Sequence, residues 1–335
     1  MSNGYRIAVA GATGAVGTTM LRILEERGVP VAELRPLASE RSRGKKVLFR
    51  GEEVPVQVMT EESFEGIGYA LFSAGSARSR EFAPAAVRSG AVVIDNSSAF
   101  RMRPEVPLVV PEVNPHALSS HEGIISNPNC STIPLVLVLN PLNGRRRVRR
   151  VVVSTYQSVS GTGTSAIEEL KAQSLAVLQG APLASEVYPH QIAFNCLPQI
   201  ESFVEGGYTT EELKLLNETR KIMEAPDILV SPTAIRVPVM VGHSASVNIE
   251  FDEPLSPDDA RAILQDAPGV VVQDEPEAGI YPMAINAAGQ DACFVGRIRE
   301  DISCERGLNL WVVSDNLRKG AALNAVQILE ELVRA

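Results

Sequence analysis

Along the first third of the chain, short apolar runs at 6–10, 32–38, 69–73 and 92–95 alternate with stretches of helical periodicity at 16–27 and 83–89. That rhythm predicts an α/β unit with a parallel, doubly wound sheet, because only a long crossover, usually a helix, returns the chain to begin a parallel neighbour. From about residue 148 the texture changes. Longer β-branched runs at 148–156, 228–237 and 246–251 predict a second, α+β unit with a mixed or antiparallel sheet and helices on one side. The stretch 319–333 is helical again and is expected to pack back on the first unit. The expected division is therefore 1–130 with 317–335, and 131–316. No internal repeat interrupts this plan.

Composition narrows the function classes. A chain of 335 residues suits two domains, and 45% hydrophobic with 21% charged residues favours neither disorder nor a fibrous repeat. A net charge of -9 would repel a polyanion, so nucleic acid is not an expected partner. The one dense basic run, 145–150, leads into an apolar stretch and reads as a solvated loop entering a strand. Cys130, Cys196, Cys293 and Cys304 have no paired spacing, which fits a reducing compartment and offers no metal pattern. The start of the chain has no signal-peptide character, and the longest apolar run, around 133–139, is too short for a membrane span. A cytoplasmic protein is expected.

The strand at 6–10 runs into Gly11-Ala-Thr13-Gly14-Ala15-Val16-Gly17 and then a helix, the context a dinucleotide loop requires. Glycines allow a tight turn and close approach to a pyrophosphate, and the helix N-terminus offers free amides and a favourable dipole. The same spacing occurs in short-chain dehydrogenases, but none of the six tyrosines has the Lys four residues later that their proton transfer needs. At the end of the second strand, where a dinucleotide ribose is read, Ser39, Arg41 and Ser42 match a 2′-phosphate and favour NADP over NAD. Glu40 dissents, and on sequence alone it either faces solvent or pairs with a neighbour.

Cys130 lies in Asn127-Pro-Asn129-Cys130-Ser-Thr-Ile-Pro134, read as a tight turn into a helix whose first turn carries the thiol. A free thiol of pKa about 8.5 is only roughly 3% ionised at pH 7, so a nucleophile needs a helix N-terminus or an imidazole beside it. The polar neighbours argue against a merely buried cysteine. Among the four histidines, His116 and His121 lie in a loop-like stretch and His190 is flanked by Pro. His243 follows Gly242 among small residues at the start of a strand; a catalytic base and a satisfied structural histidine both fit there. A third polar cluster, Gln157-Ser-Val-Ser160-Gly161, ends a strand in a glycine-rich turn.

Taken together, the glycine loop, the 37–45 segment, Asn127-Pro-Asn-Cys-Ser-Thr132, Tyr156-Gln-Ser-Val-Ser-Gly161 and Arg236-Val-Pro-Val-Met-Val-Gly-His243 resemble the aspartate-semialdehyde dehydrogenases across nearly the whole chain. The cysteine and arginine–histidine motifs are specific; the glycine loop is not. The resemblance implies a Rossmann-type NADP-binding domain and a catalytic and dimerisation domain. It implies NADPH-dependent reductive dephosphorylation of L-aspartyl 4-phosphate to the semialdehyde that feeds lysine (through diaminopimelate), threonine and methionine synthesis. Carried over, Cys130 becomes the thioester nucleophile, His243 the general acid and base, and Gln157 the group that orients the substrate. Arg236 would clamp the α-carboxylate and Glu218 meet the α-amino group, with Asn129 also at the substrate. Lys221 and Arg101 would meet phosphate. Ser160, Gly161 and Asn316 would complete the cofactor site near the nicotinamide. Without the resemblance, the i, i+3 pair Glu218 and Lys221 would read as a surface ion pair.

The family implies a homodimer or homotetramer, inorganic phosphate as co-product and no metal. Rival enzymes with the same thioester logic, N-acetylglutamyl-phosphate reductase and glyceraldehyde-3-phosphate dehydrogenase, carry different residues around the cysteine. A non-catalytic nucleotide-binding homologue would be expected to lack Cys130 or His243, and both are present.

Overall fold

A computed structural model describes residues 4–334. It contains two compact units, one running to Asn129 and resuming at Ala321, the other being Cys130–Gly320.

In the first unit β1 (Tyr5–Ala10) leads through α1 (Ala15–Glu26) to β2 (Val31–Ala38). A hairpin of β3 (Lys46–Phe49) and β4 (Glu52–Pro55) follows, then β5 (Gln57–Val58), β6 (Tyr69–Phe72), α2 (Ser76–Arg88), β7 (Val92–Asp95) and β8 (Ile124–Ser126). The six-stranded sheet has the order β5-β2-β1-β6-β7-β8, every pair parallel. Because β1 sits inside and the chain winds outward on both sides, the loop after β1 opens at the switch point where such sheets take ligands. The C-terminal helix Leu323–Arg334 packs on α1 and β7 as its pattern predicts, sharing one core with Ile7, Val9, Met20 and Leu24.

α2 is longer than the predicted 83–89. Its first turns, Ser76 to Glu81, are mostly polar and lack an apolar period, so only the end that buries Phe82, Ala83, Ala85 and Ala86 was visible as a helix.

The second unit carries α3 (Thr132–Arg145), β9 (Val148–Gln157), α4 (Thr164–Gln179), α5 (Thr210–Ile222), β10 (Leu229–Arg236), β11 (His243–Phe251), α6 (Pro257–Gln265), β12 (Val270–Val272), β13 (Cys293–Glu300) and β14 (Gly307–Ser314). Its sheet is mixed, in the order β10-β9-β11-β14-β13-β12, with β10–β9 and β12–β13 parallel and the three central pairings antiparallel. Helices α3, α5 and α6 pack on each other and on this sheet. Every residue of α3 from Thr132 to Leu139 is buried, so this helix is apolar all round because it is internal. At 14 residues it is no membrane span, and no helix among the described residues is long and apolar enough for one. The basic run ends α3 and opens β9, with Arg145, Arg147, Arg149 and Arg150 in solvent.

The three glycines of the loop after β1 do different work. Gly11 adopts φ +86° and a Cβ there would stand 2.3 Å from the Ser73 carbonyl oxygen; a Cβ on Gly17 would stand 2.1 Å from the Gly11 oxygen. A Cβ on Gly14 would meet nothing nearer than that same oxygen at 3.4 Å. Gly17→Ala should therefore lower stability by about 2 kcal/mol or more, whereas Gly14→Ala should cost about 1 kcal/mol or less. Urea denaturation of both variants tests this, and equal losses would contradict it.

Candidate active site

The loop after β1 is built to hold an anion. The Gly11 amide donates to the Leu37 oxygen at 2.8 Å and the Gly14 amide to the Gly11 oxygen at 3.0 Å, which fixes the turn. Gly14 then caps α1 without a side-chain hydrogen bond. The following amides of Ala15, Val16 and Gly17 stand in the first turn, where a helix has no acceptor of its own to offer them. Thr13 and Ser42 share a hydroxyl hydrogen bond of 3.1 Å that ties this loop to the one after β2. Glu40 pairs with Arg43 at 2.6 Å. The dissenting acid therefore pairs with Arg43, and Arg41 stays exposed beside Ser39 with no acidic partner among the described residues. These residues could hold a dinucleotide.

Asp95 and Arg101 shape the loop between β7 and the rest of this unit. Asp95 is fully buried and accepts from Ser79 Oγ at 2.8 Å and from the Ser97 amide and hydroxyl; burial raises its carboxyl pKa despite those bonds. Arg101, also buried, donates through Nε to the Asn127 oxygen at 2.9 Å and through Nη2 to the Asn96 oxygen at 2.6 Å. Asn129, buried as well, ends this unit.

Cys130 begins the second unit and is half-buried. The helix starts later than expected: Ser131 is the N-cap of α3 and Thr132 its first residue, so Cys130 precedes the first turn instead of occupying it. Cys130 and Ser131 themselves form the turn that leads into the helix. Beneath Cys130 lies a short π-helical turn, Arg318–Ala322, in which a Cβ on Gly320 would approach Cys130 Cβ at 3.1 Å and its carbonyl oxygen at 3.2 Å. A side chain at Gly320 would press on the Cys130 segment, which would have to give by a few tenths of an ångström.

The remaining predicted residues gather at one end of the mixed sheet. Gln157 ends β9 and Arg236 ends β10, register partners in a parallel pair; His243 opens β11, opposite Ser314. The ends meet over Gly161, whose added Cβ would lie 3.2 Å from Arg236 Nη1 and 3.3 Å from His243 Nε2. Arg236 donates through Nη1 to the Ser158 oxygen at 2.7 Å, with Tyr188 under the guanidinium at 6.0 Å. Its Nε, though buried, has no protein acceptor. Asn316, just past β14, accepts at Oδ1 from Ser158 Oγ (3.0 Å) and the Gly242 amide (2.9 Å) and donates through Nδ2 to Ser160 Oγ (2.9 Å). It thereby ties the turn after β9 to the residue before His243. Glu218 is buried in α5 and Lys221 half-buried, so the pair is not the surface ion pair that spacing alone suggested.

Sequence reasoning gave no role to Ser158, Tyr188 or Gly320. Ser158 and Gly320 carry no local signature, because their partners are brought together only by the sheet.

Ser158 decides the state of His243. Its backbone amide donates to His243 Nδ1 at 3.1 Å, and an amide can only donate. Nδ1 is therefore an acceptor and the neutral ring carries its proton on Nε2, the nitrogen that has no protein partner. Burial first, and then the charge of Arg236, hold the His243 pKa well below its usual 6.5. The unfolded chain then binds a proton at a pH where the folded one does not, so stability is complete above about pH 6.5 and falls as pH drops below it. His243→Asn should flatten that acid limb. Melting temperatures of both proteins between pH 7.5 and pH 5 measure it, and parallel profiles would exclude His243 as a source.

Comparison with known proteins places this architecture. Residues 6–121 match the semialdehyde dehydrogenase NAD binding domain and residues 139–319 the semialdehyde dehydrogenase dimerisation domain. An aspartate-semialdehyde dehydrogenase of Aquifex aeolicus is 55% identical over 335 residues, covering 99% of this chain and 98% of that protein. One from Bacillus subtilis is 51% identical over 340 residues, covering 99% and 98%. The crystal structure of aspartate semialdehyde dehydrogenase II from Vibrio cholerae, complexed with ASA, superposes with a TM-score of 0.96 at 47% identity and covers 99% of both chains. With its parallel nucleotide-binding sheet and its mixed second sheet, the chain belongs to the aspartate-semialdehyde dehydrogenase family.

Proposed function

We propose that this chain reduces L-aspartyl 4-phosphate to L-aspartate 4-semialdehyde with NADPH, releasing inorganic phosphate, and runs the reaction backward when phosphate is supplied. The observation that carries this reading is the pair of buried nitrogens, Arg236 Nε and His243 Nε2, with no protein partner at the converging strand ends. A buried donor left alone costs about 1–3 kcal/mol, more when charged, so a site that keeps two of them is made for a ligand that accepts. An α-carboxylate suits the guanidinium, and an oxygen gaining charge suits the imidazole N–H.

In this scheme the Cys130 thiolate attacks the acyl carbon, a C–S bond forms and the C–O bond to phosphate breaks. Arg101 and Lys221 are assigned to the departing phosphate, Glu218 to the α-ammonium group, and Asn129 and Gln157 to holding the acyl group. Bound NADPH supplies the hydride that takes the thioester to the aldehyde level. His243 hydrogen-bonds through its Nε2 proton to the oxygen where charge collects, and the oxyanion left by hydride transfer collapses to the aldehyde as the C–S bond opens and the Cys130 thiolate returns. Gly11, Thr13, Gly14, Ala15, Val16 and Gly17 would hold the cofactor's pyrophosphate, Ser39, Arg41 and Ser42 its 2′-phosphate, and Ser160, Gly161 and Asn316 would serve the nicotinamide end. The N-terminal unit serves the nucleotide, the second unit catalysis and assembly. The protein works as a homodimer or homotetramer in the cytoplasm, supplying lysine, threonine and methionine synthesis.

Cys130→Ala should abolish phosphate-dependent reduction of NADP by aspartate semialdehyde while leaving NADPH binding intact by fluorescence titration; substantial residual turnover would refute the nucleophile. Activity with N-acetylglutamate semialdehyde, and none with aspartate semialdehyde, would shift the substrate to the related reductase. Arg41→Ala should raise KM for NADPH about tenfold or more and leave KM for NADH nearly unchanged, since a charge-assisted contact to the 2′-phosphate is lost from only one of the two cofactors. Equal changes for both would remove the 2′-phosphate from Arg41.

A further inference from the structure

Helix α5 repeats one spacing twice. Glu211 and Lys214 are followed seven residues later by Glu218 and Lys221, so both sets lie along one stripe of the helix. The second set is assigned above to substrate; the first has no role there.

Glu211 is almost fully buried in the first turn of α5, where the helix dipole favours a negative charge. Its Oε2 receives Lys214 Nζ at 3.1 Å, and Lys214 also reaches Glu201 Oε1 at 2.5 Å. Burial alone would lower the Lys214 pKa, but the carboxylates of Glu211 and Glu201 outweigh it and raise it, so Lys214 stays charged. Glu212, its neighbour, does a different job: it closes the capping box with Thr209 and accepts the Ala234 amide at 3.0 Å. The other oxygen of Glu211 accepts from Gln157 Nε2 at 3.0 Å. A carboxylate can only accept, so it selects the NH2 end of that amide. The same nitrogen reaches Thr155 Oγ1 at 3.3 Å, which uses its second hydrogen.

We propose that Glu211, anchored by Lys214, is a positioning residue that locks the Gln157 amide so that it turns its carbonyl oxygen to the bound amino acid. Gln157 then acts as an acceptor for a donor group of the substrate and does not serve the oxyanion. This rests on the assignment of Gln157 to the substrate in the proposed reaction.

A double-mutant cycle on the full-length enzyme tests it. Glu211→Gln can offer either end to its neighbour and so releases the lock; it should lower kcat/KM for aspartate semialdehyde about tenfold, with Tm close to that of the parent. In a Gln157→Ala background the same change should cost less than about twofold, because the residue it acts through is gone. Lys214→Met approaches from the other side and should show a smaller loss that vanishes in the same background. Glu211→Asp, which keeps an acceptor, should recover part of the activity. Equal losses in both backgrounds would overturn the positioning role and leave a structural ion pair. A Gln157→Ala enzyme with unchanged kcat/KM would instead overturn the assignment of Gln157 to the substrate, and the inference with it.

Discussion

A backbone N–H aimed at a ring nitrogen sets the chemistry available at the end of the mixed sheet. The Ser158 amide has no alternative but to donate, so His243 Nδ1 must accept and Nε2 must carry the proton. Burial and the Arg236 charge reinforce the neutral form by penalising a second proton. The Ser158 hydroxyl also lies 3.0 Å from Nδ1 and the same distance from Asn316 Oδ1. When that hydroxyl donates to Asn316 its lone pairs face the ring.

The sheet makes this arrangement possible by closing three strand ends on one turn. Parallel pairing sets Arg236 beside Gln157, and antiparallel pairing brings β11 back so that His243 arrives at the same level. Asn316 then ties the Ser158 and Ser160 hydroxyls to the Gly242 amide, so each loop is held by another. Behind them α3 is wholly internal along its first eight residues, Thr132 to Leu139, a rigid backing for the turn that presents Cys130. Gln157, Arg236 and His243 extend from strand ends fixed by the sheet, whereas Cys130 and Asn316 stand in turns.

In the nucleotide-binding unit the division of labour is steric. Gly11 and Gly17 are glycines because other backbone atoms occupy the space where a Cβ would go. Gly14 is under no such constraint within the protein: it is the N-cap of α1, and a Cβ there would meet nothing nearer than the Gly11 oxygen. Electrostatic selection works the same way in the next loop, where Glu40 pairs with Arg43 and leaves Arg41 as the cation beside two hydroxyls.

Periodicity and motif spacing are local properties, and they were legible. The alternation of apolar runs and helical stretches predicted the doubly wound sheet, the later β-branched strands predicted the mixed one, and the glycine loop, the cysteine turn and the arginine–histidine strand end could each be found by reading along the chain. What the sequence could not carry was any relation that depends on register. Ser158 and His243 are 85 residues apart and Gln157 and Glu211 are 54 apart; the pairing of β9 with β11 brings the first two together, and the packing of α5 on β10, the strand beside β9, brings the second two. The start of α3 was read too early for a related reason, since the motif alone did not reveal that Cys130 and Ser131 stand in a turn ahead of the helix. The chain by itself determined which elements form and which chemical groups they carry. The tertiary structure decided which atom of each group faces the reaction, because hydrogen-bond direction is set by the partner and the partner by the fold.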